Sequence, residues 1–177
     1  GGRRVQWGEW RDVGWQMSRG AQRGKAEATV REARRLAQES GDRLLESQAT
    51  ANLAVVLQNQ GRYAEAAEMF GRQIELARET GYRLGEARGT MNLAINFAIQ
   101  GELEQAIELM KRRLEISREI GDRRGESLSL TNLAHAHQDT GQPAEARDYA
   151  ERAVAMAREL GDRWAEAAAA LSRGTIL

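Results

Sequence analysis

The two histidines of this chain, His135 and His137, are the first candidates for metal or acid–base chemistry. Two residues apart on a helix, they point in nearly opposite directions and do not share a metal ion. His135 and Asp139 are one helical turn apart, but a zinc site needs a third protein ligand, none is evident, and the chain contains no cysteine. We therefore expect no metal and no cofactor. His137 falls at a packing position and should be partly buried.

Four aligned glutamates are the second candidate for chemistry, in this case acid–base catalysis. They recur forty residues apart, as Glu46, Glu86, Glu126 and Glu166. Each stands near the predicted start of a helix, where a negative charge interacts favourably with the helix dipole and with a nearby arginine. The chain has no nucleophile elbow, phosphate-binding glycine loop or metalloprotease motif. We therefore expect a structural role for these glutamates and no enzymatic activity.

Asparagine also recurs at one position, as Asn52, Asn92 and Asn132, and we call these three residues the Asn ladder. Asn is a mediocre helix former, so its recurrence calls for a reason. Its amide both donates and accepts hydrogen bonds and can hold a peptide backbone irrespective of side chain. Two alternatives to peptide binding stay open: each Asn bonds to the neighbouring helix, or it was inherited with a duplicated repeat.

Glycines mark the ends of the helices that must position these residues. They recur every twenty residues, each after a stretch with helical apolar spacing: Gly41, Gly61, Gly81, Gly101, Gly121, Gly141 and Gly161. Glycine in the left-handed conformation is a common helix C-cap. Each forty-residue unit is therefore predicted to be helix A, Gly, helix B, Gly. Asp42, Asp122 and Asp162 are the predicted N-caps of three A helices, and Tyr82 replaces the cap in the unit of residues 81–120.

The repeat register predicts a single domain, residues 1–177, built from four helix pairs and one further helix. The predicted units are residues 5–40, 41–80, 81–120 and 121–160, followed by a closing helix over residues 161–177. The first unit is divergent but keeps the repeat register, which aligns Ala26 with Ala66 and Leu36 with Leu76 in the sequence. We therefore expect nine helices in all.

The first unit also carries a recognisable motif: Trp10, Val13, Gly14 and Met17, followed by Ala26. This pattern resembles the signature of the tetratricopeptide repeat family: Trp, two residues, Leu-Gly, two residues, Tyr and a later Ala. The family's usual period is about 34 residues. The longer period here is similar to that of Pins-type adaptors, kinesin light chains and bacterial signalling proteins. The resemblance implies an all-α fold, a right-handed α-solenoid of stacked antiparallel helix pairs whose A helices line a concave groove.

The face of each A helix that is turned away from its own B helix would project into that groove. The side chains predicted there are Asp12, Trp15, Arg19, Gln48, Asn52, Val55, Asn59, Arg88, Asn92, Ile95, Ile99, Leu128, Asn132, His135 and Asp139. Among them, Trp15, Val55, Ile95 and Ile99 would form an apolar strip beside Arg88. A strip of this kind with a polar rim is typical of a protein-binding site. The alternative is that adjacent A helices cover one another.

Charge and hydropathy narrow the classes of partner. The chain has 26 Lys and Arg and 26 Asp and Glu, and this zero net charge disfavours a nucleic-acid binder. Residues 1–40 hold nine basic and five acidic residues, a net charge of +4, but we expect those arginines to be solvated. No apolar run is long enough to span a membrane. These features predict a soluble, cytoplasmic protein.

Together, the ladder and the strip predict a protein–protein interaction module that binds a peptide or helix of a partner in the concave groove. Two other functions of the repeat array stay open. It could be an intramolecular sensor arm of a larger signalling ATPase or transcription regulator. It could also self-associate through the closing helix, on the face that bears Trp164.

Overall fold

The structure, a computed structural model, describes the backbone of residues 7–163, 166–167 and 170, and the side chains of the same residues from 24 onward. This part of the chain forms seven helices and no strand. They are α1 (Trp7–Ser40), α2 (Arg43–Asn59), α3 (Tyr63–Glu79), α4 (Arg83–Ile99), α5 (Leu103–Glu119), α6 (Arg123–Asp139) and α7 (Pro143–Glu159). Each helix packs against the next one along the chain, which confirms the predicted all-α solenoid.

Glycines end the helices as predicted. The seven glycines at twenty-residue intervals all have positive φ, between +65° and +82°. At the end of α2, the Gly61 N–H donates to the Gln58 carbonyl at 2.9 Å and the Arg62 N–H donates to the Leu57 carbonyl at 3.0 Å. These bonds satisfy carbonyls that the helix itself leaves without donors. Helices α2 to α7 consequently have 17 residues each.

Aspartates begin two of the A helices, also as predicted. Asp42 Oδ1 accepts a hydrogen bond from the Leu45 N–H at 2.9 Å, and Asp122 Oδ1 accepts one from the Gly125 N–H at 2.9 Å. Tyr82 holds the same place before α4 and makes no side-chain cap. The start of α4 is therefore less well satisfied than the starts of α2 and α6.

The first unit departs from the prediction, because α1 is one continuous helix of 34 residues and not a helix pair. Helices α2, α4 and α6 each end at a glycine, but Ala21 stands at the equivalent position of the first unit. Alanine is the strongest helix former and resists the left-handed conformation, so the helix continues through the expected turn. The prediction of a helix pair over residues 5–40 is therefore wrong, and so is the count of nine helices that depended on it.

Among the described residues, the unbroken α1 leaves one of its faces without an antiparallel partner helix. Ala26 is exposed and Leu36 is 51 % exposed, whereas their counterparts Ala66 and Leu76 are fully buried. Within the described part of the chain, no helix A packs on this face of α1, because the residues that would form that helix extend α1 instead. At the other end, most of the predicted closing helix, including Trp164, lies outside the described residues, so self-association through it stays a prediction.

Small residues allow close contact between the paired helices. Six alanines at two repeat positions are fully buried: Ala54, Ala94, Ala134, Ala66, Ala106 and Ala146. Between α2 and α3, Leu53, Leu57 and Phe70 form a hydrophobic cluster. A second cluster centred on Leu130 and Leu133 joins α4 to α7. The cluster of α4 to α7 thus spans two helix pairs, which bury their apolar faces against each other.

Candidate binding groove

The A helices lie side by side on one face of the array. Helices α2 and α4 contact each other directly although α3 separates them in sequence, whereas α3 and α5 do not. Helix α6 lies beside α4, because the Asn132 Nδ2 on α6 donates to the Met91 Sδ on α4. The face formed by α2, α4 and α6 is the one that the family resemblance of the sequence implies to be concave, and we call it the groove.

Ten of the predicted groove side chains are exposed in the structure: Gln48, Asn52, Val55, Asn59, Arg88, Ile95, Ile99, Leu128, His135 and Asp139. Asn92 and Asn132 are half-buried. The side chains of Asp12, Trp15 and Arg19 lie outside the described residues. The groove face is thus open, while the role of these residues in binding stays a prediction.

Three aliphatic side chains of the groove form the described part of the apolar strip. Val55 is 38 % exposed, Ile95 is 39 % exposed and Ile99 is 53 % exposed. Neighbouring A helices therefore cover them only in part, which argues against the alternative of mutual covering. Arg88 lies about two helical turns before Ile95 and about three before Ile99 on α4, and it forms no ion pair with the described residues.

The Asn ladder is divided between two environments. The Asn132 Nδ2 donates to the Met91 Sδ at 3.3 Å, so the third ladder residue bonds to the neighbouring helix. The side-chain amides of Asn52 and Asn92 form no hydrogen bond within the described part of the chain and line an open cavity of about 260 Å³ between α2 and α4. The alternative that the ladder residue bonds to the neighbouring helix therefore holds for Asn132 and not for Asn52 and Asn92.

Side chains from three consecutive helices surround this cavity. It is lined by Ser47, Gln48, Ala51, Asn52, Gln73, Tyr82, Gly85, Arg88, Gly89 and Asn92. Gln73 reaches it from α3 and is only 3 % exposed. Its Nε2 donates to the Gly85 carbonyl at 3.0 Å, while its Oε1 finds no hydrogen-bond partner among the described residues. The cavity is thus lined by the unengaged side-chain amides of Asn52 and Asn92, whereas the unpaired Gln73 oxygen is buried against Gly89.

The aligned glutamates support the helix junctions, as predicted. Glu46, Glu86 and Glu126 are buried, and the Arg78 Nε donates to Glu86 Oε1 at 2.8 Å. Burial raises the pKa of the Glu86 carboxyl, but the hydrogen bond from Arg78 and the charges of Arg83 and Arg78 outweigh burial and hold that pKa below its ordinary value. A carboxylate kept ionised by arginines is a structural anion and a poor proton donor.

His137 lies at a buried packing position, as the sequence predicted. His137 is 6 % exposed, and its ring stacks on Tyr149 with centroids 5.2 Å apart. His137 Nδ1 lies 2.5 Å from Gln142 Oε1. His135 is exposed on the groove face. Within the described residues, no group of three or more His, Cys, Asp or Glu side chains could hold a metal ion, and no helix there is long and apolar enough to cross a membrane.

Sequence reasoning missed three residues that shape the groove: Ala51, Gln73 and Met91. A signal for them was present, because each stands at a repeat position whose side chain changes from unit to unit. Gln73 has Arg113 as its counterpart, a guanidinium buried to 5 % exposure on the apolar side of α5. Met91 is the one long apolar side chain at its repeat position. A comparison of positions that vary between the units would have singled them out.

Two comparisons bear on the family. The model described as tetratricopeptide repeat matches residues 46–119 and 86–159, which together cover more than half of the chain. A model described as anaphase-promoting complex subunit 5 matches residues 19–47. The comparison with curated protein sequences gives no match.

Solved structures show the same fold. BtubC (BKLC) from P. vanneervenii is 22 % identical with a TM-score of 0.80, over 90 % of this chain and 66 % of that one. The Rap conjugation gene regulator of plasmid pLS20, in complex with a Phr peptide, is 20 % identical with a TM-score of 0.70, over 95 % and 47 %. The STAND protein with a tetratricopeptide repeat sensor from Pyrococcus horikoshii is 17 % identical with a TM-score of 0.71, over 76 % and 21 %. The chain thus spans less than two thirds of each.

Proposed function

Because this chain belongs to the tetratricopeptide repeat family, we propose that its groove binds an extended or helical peptide of a partner protein in the cytoplasm. One observation carries the proposal: the unengaged side-chain amides of Asn52 and Asn92 lie on the same face of the A helices as the exposed strip of Val55, Ile95 and Ile99. Exposed amides offer hydrogen bonds to any peptide backbone, and the strip offers burial to apolar side chains.

Each part of the groove has its own task in this proposal. The ladder amides of Asn52 and Asn92 orient the backbone of the peptide, and the strip buries its apolar side chains at about 25 cal/mol per Å² removed from water. Arg88 pairs with an acidic group of the ligand, since it forms no ion pair with the described residues. Asn132 contributes little, because its amide already donates to Met91.

One structural relative supports a peptide as the ligand. The Rap regulator of similar fold was solved in complex with a Phr peptide. A second candidate function is supported by the STAND protein, whose repeat array is a sensor within a larger chain. In that case the groove would bind another segment of the same polypeptide, and the sequences that flank residues 1–177 would encode an ATPase or a regulator domain.

Selection from a library of random dodecapeptides, followed by fluorescence polarisation on the selected peptides, tests the proposal. The double variant Asn52→Ala/Asn92→Ala should bind about thirtyfold more weakly, since each lost hydrogen bond contributes about 1 kcal/mol. Asn132→Ala is the matched control and should bind like the wild type. Unchanged affinity of a folded double variant, or an equal loss in the control, would contradict the proposal.

A further inference from the structure

We infer that two copies of this chain form a dimer in which the first half of each α1 packs on the second half of the other α1. The surface that is covered consists of apolar side chains of α1 and of the start of α2, and we call it the open face: Ala26, Val30, Ala33, Leu36 and Leu45. The occupant is the segment of residues 7–20 of the second copy. The inference goes beyond the proposed function, since it requires no peptide in the groove.

The open face has the character of a helix-packing surface that lacks its helix. Its α1 side chains follow one another at intervals of three or four residues, so they form one stripe along the helix. Leu36 is 51 % exposed, whereas its counterparts Leu76 on α3 and Ile116 on α5 are fully buried. Among the described helices, α3 packs on the A helix before it and on the one after it, while α1 has only the one after it. The stripe is therefore exposed where a preceding A helix would cover it.

Leu45 extends the open face onto α2. At the α3–α4 junction, the Gln73 Nε2 donates to the Gly85 carbonyl at 3.0 Å. One repeat earlier, the same two positions hold Ala33 and Leu45. A long polar side chain next to a glycine thus corresponds here to a methyl group next to a leucine, and Leu45 is 46 % exposed. The α1–α2 junction consequently shows apolar surface where the α3–α4 junction is closed.

Residues 7–20 have the apolar spacing of the missing A helix. The repeat register aligns Val13 and Met17 with Leu53 and Leu57, which belong to the hydrophobic cluster between α2 and α3. The backbone of the segment is helical, as an A helix requires, although it continues α1. The segment therefore carries the residues that pack an A helix on a B helix.

The sizes of the side chains are complementary in this arrangement. The contact between α2 and α3, transferred one repeat back, pairs Val13 with Val30. The same antiparallel register brings the large Trp10 to the small Ala33. Large side chains opposite small ones interdigitate without voids, as in a protein core. The segment and the open face thus fit as two halves of one repeat unit.

A continuous α1 prevents residues 7–20 from covering the open face of their own chain. The Arg62 Nη1 donates to Glu27 Oε2 at 2.9 Å, so the end of α2 lies beside Glu27. About 30 Å of α1 precedes Glu27 and extends beyond α2. Two such helices, antiparallel about an axis near Ala21, place each first half on the open face of the other copy. Exchange of an identical element is a low-cost route to a dimer.

Size-exclusion chromatography with light scattering tests for the dimer. At high micromolar concentration, the wild type should have twice the chain mass of 19.7 kDa. Leu36→Asp should halve the measured mass, because it places a charge within the covered surface. Ile120→Asp, at a partly exposed residue after α5, is the matched control and should stay dimeric. Circular dichroism melts verify that both variants are folded. A monomeric wild type, or a dimeric Leu36→Asp, would overturn the inference.

Ala21→Gly tests the hinge. Glycine adopts the left-handed conformation that ends the other A helices, so this variant should allow residues 7–20 to turn back onto their own chain. The dissociation constant of the dimer should rise by about tenfold or more, measured by analytical ultracentrifugation. An unchanged dissociation constant would contradict the exchange of segments.

Cysteine pairs identify the occupant. The chain has no cysteine, so introduced thiols are the only ones. After oxidation, Val13→Cys/Val30→Cys should form a disulfide-linked dimer on a non-reducing gel. The matched variant Val13→Cys/Ala28→Cys should not, because Ala28 and Val30 point in nearly opposite directions.

Two outcomes of the cysteine experiment would overturn the inference. A disulfide within one chain of Val13→Cys/Val30→Cys would show that residues 7–20 cover their own open face. A dimer that depends on Leu36 but forms no such disulfide would show that a different segment, such as residues 161–177 of the second copy, covers it.

Discussion

Gln73 on α3 and Arg113 on α5 occupy the same repeat position, yet one side chain is neutral and the other is charged. Both are buried, and both donate to the carbonyl of a glycine in the following helix: Gln73 Nε2 to Gly85, and Arg113 Nη1 to Gly125. The two helix junctions therefore keep one backbone arrangement and one hydrogen bond while they differ in the charge of the donor. The repeat conserves geometry between its units and leaves the chemistry of each junction free to change.

The α5–α6 junction, which buries the charged Arg113, has a larger electrostatic cost than the α3–α4 junction, which buries the neutral Gln73. Burial lowers the pKa of the Arg113 guanidinium, the charge of Arg88 lowers it further, and the charge of Asp122 opposes the shift. Arg113 Nη1 also donates to Ser129 Oγ at 2.6 Å, but its Nε has no partner among the described residues. A buried cation that is only partly paired is expensive unless its hydrogen bonds hold. The α5–α6 junction should therefore respond more strongly than the α3–α4 junction when its buried side chain is removed.

Truncation of Arg113 or of Gln73 to alanine gives the largest expected change in the free energy of unfolding. Arg113→Ala should lower the free energy of unfolding by about 3 kcal/mol, since it loses two hydrogen bonds of a charged donor and leaves a cavity. Gln73→Ala should cost about 1–2 kcal/mol, because it loses one neutral hydrogen bond and also removes an unsatisfied oxygen. Urea denaturation measures both values. Equal losses would show that the charge of Arg113 does not distinguish the two junctions.

The two junctions also differ in their N-caps, and removal of the Asp122 cap tests this difference. Asp122 caps α6 and faces Arg113, with Asp122 Oδ2 4.0 Å from Arg113 Nη2, whereas Tyr82 makes no side-chain cap at α4. Asp122→Ala should cost about 1–2 kcal/mol in thermal or urea unfolding. Tyr82→Asp should add a cap and stabilise the protein by about 0.5–1 kcal/mol. A destabilising Tyr82→Asp would mean that the tyrosine packing is worth more than the missing cap.

Replacement of the buried cation by an apolar side chain of similar size sharpens the comparison further. Arg113→Met keeps the volume and removes the charge, and such exchanges are often neutral or stabilising. We expect the free energy of unfolding to stay within about 1 kcal/mol of the wild type, far from the loss in Arg113→Ala. If the Met and Ala variants are equally unstable in urea, the hydrogen bonds of Arg113 and not its volume hold this junction.

The smallest expected effect is a change in the pH dependence of stability. It concerns Glu86, which lies at the α3–α4 junction. Because the arginines hold the pKa of its carboxyl below the ordinary value, Glu86 stabilises the fold at neutral pH and loses that contribution as the pH falls below about 4.5. Glu86→Gln should therefore reduce the loss of stability between neutral and acidic pH. Glu104→Gln, at an exposed residue of α5, is the control. Urea denaturation at several pH values would reveal a parallel decline in both variants if Glu86 has no such role.

Much of this architecture could be predicted from local sequence signals, and the main error also had a local cause. Gly61 and its equivalents predicted where the A helices end, and the structure confirms them. The same rule, applied to Ala21, would have predicted that α1 continues. The motif around Trp10 favoured a helix pair there, although a turn depends on the residue at the turn and not on the helix before it.

The period, the helix ends and the exposed face of each A helix were determined by the sequence itself, because each depends on residues within one or two helical turns. Only the tertiary structure decided that Asn132 is engaged while Asn52 and Asn92 are not. That outcome depends on whether a side chain of the preceding A helix, Met91 or Ala51, is long enough to cross to its neighbour. Distances between helices arise from packing of the whole stack, and no local pattern records them.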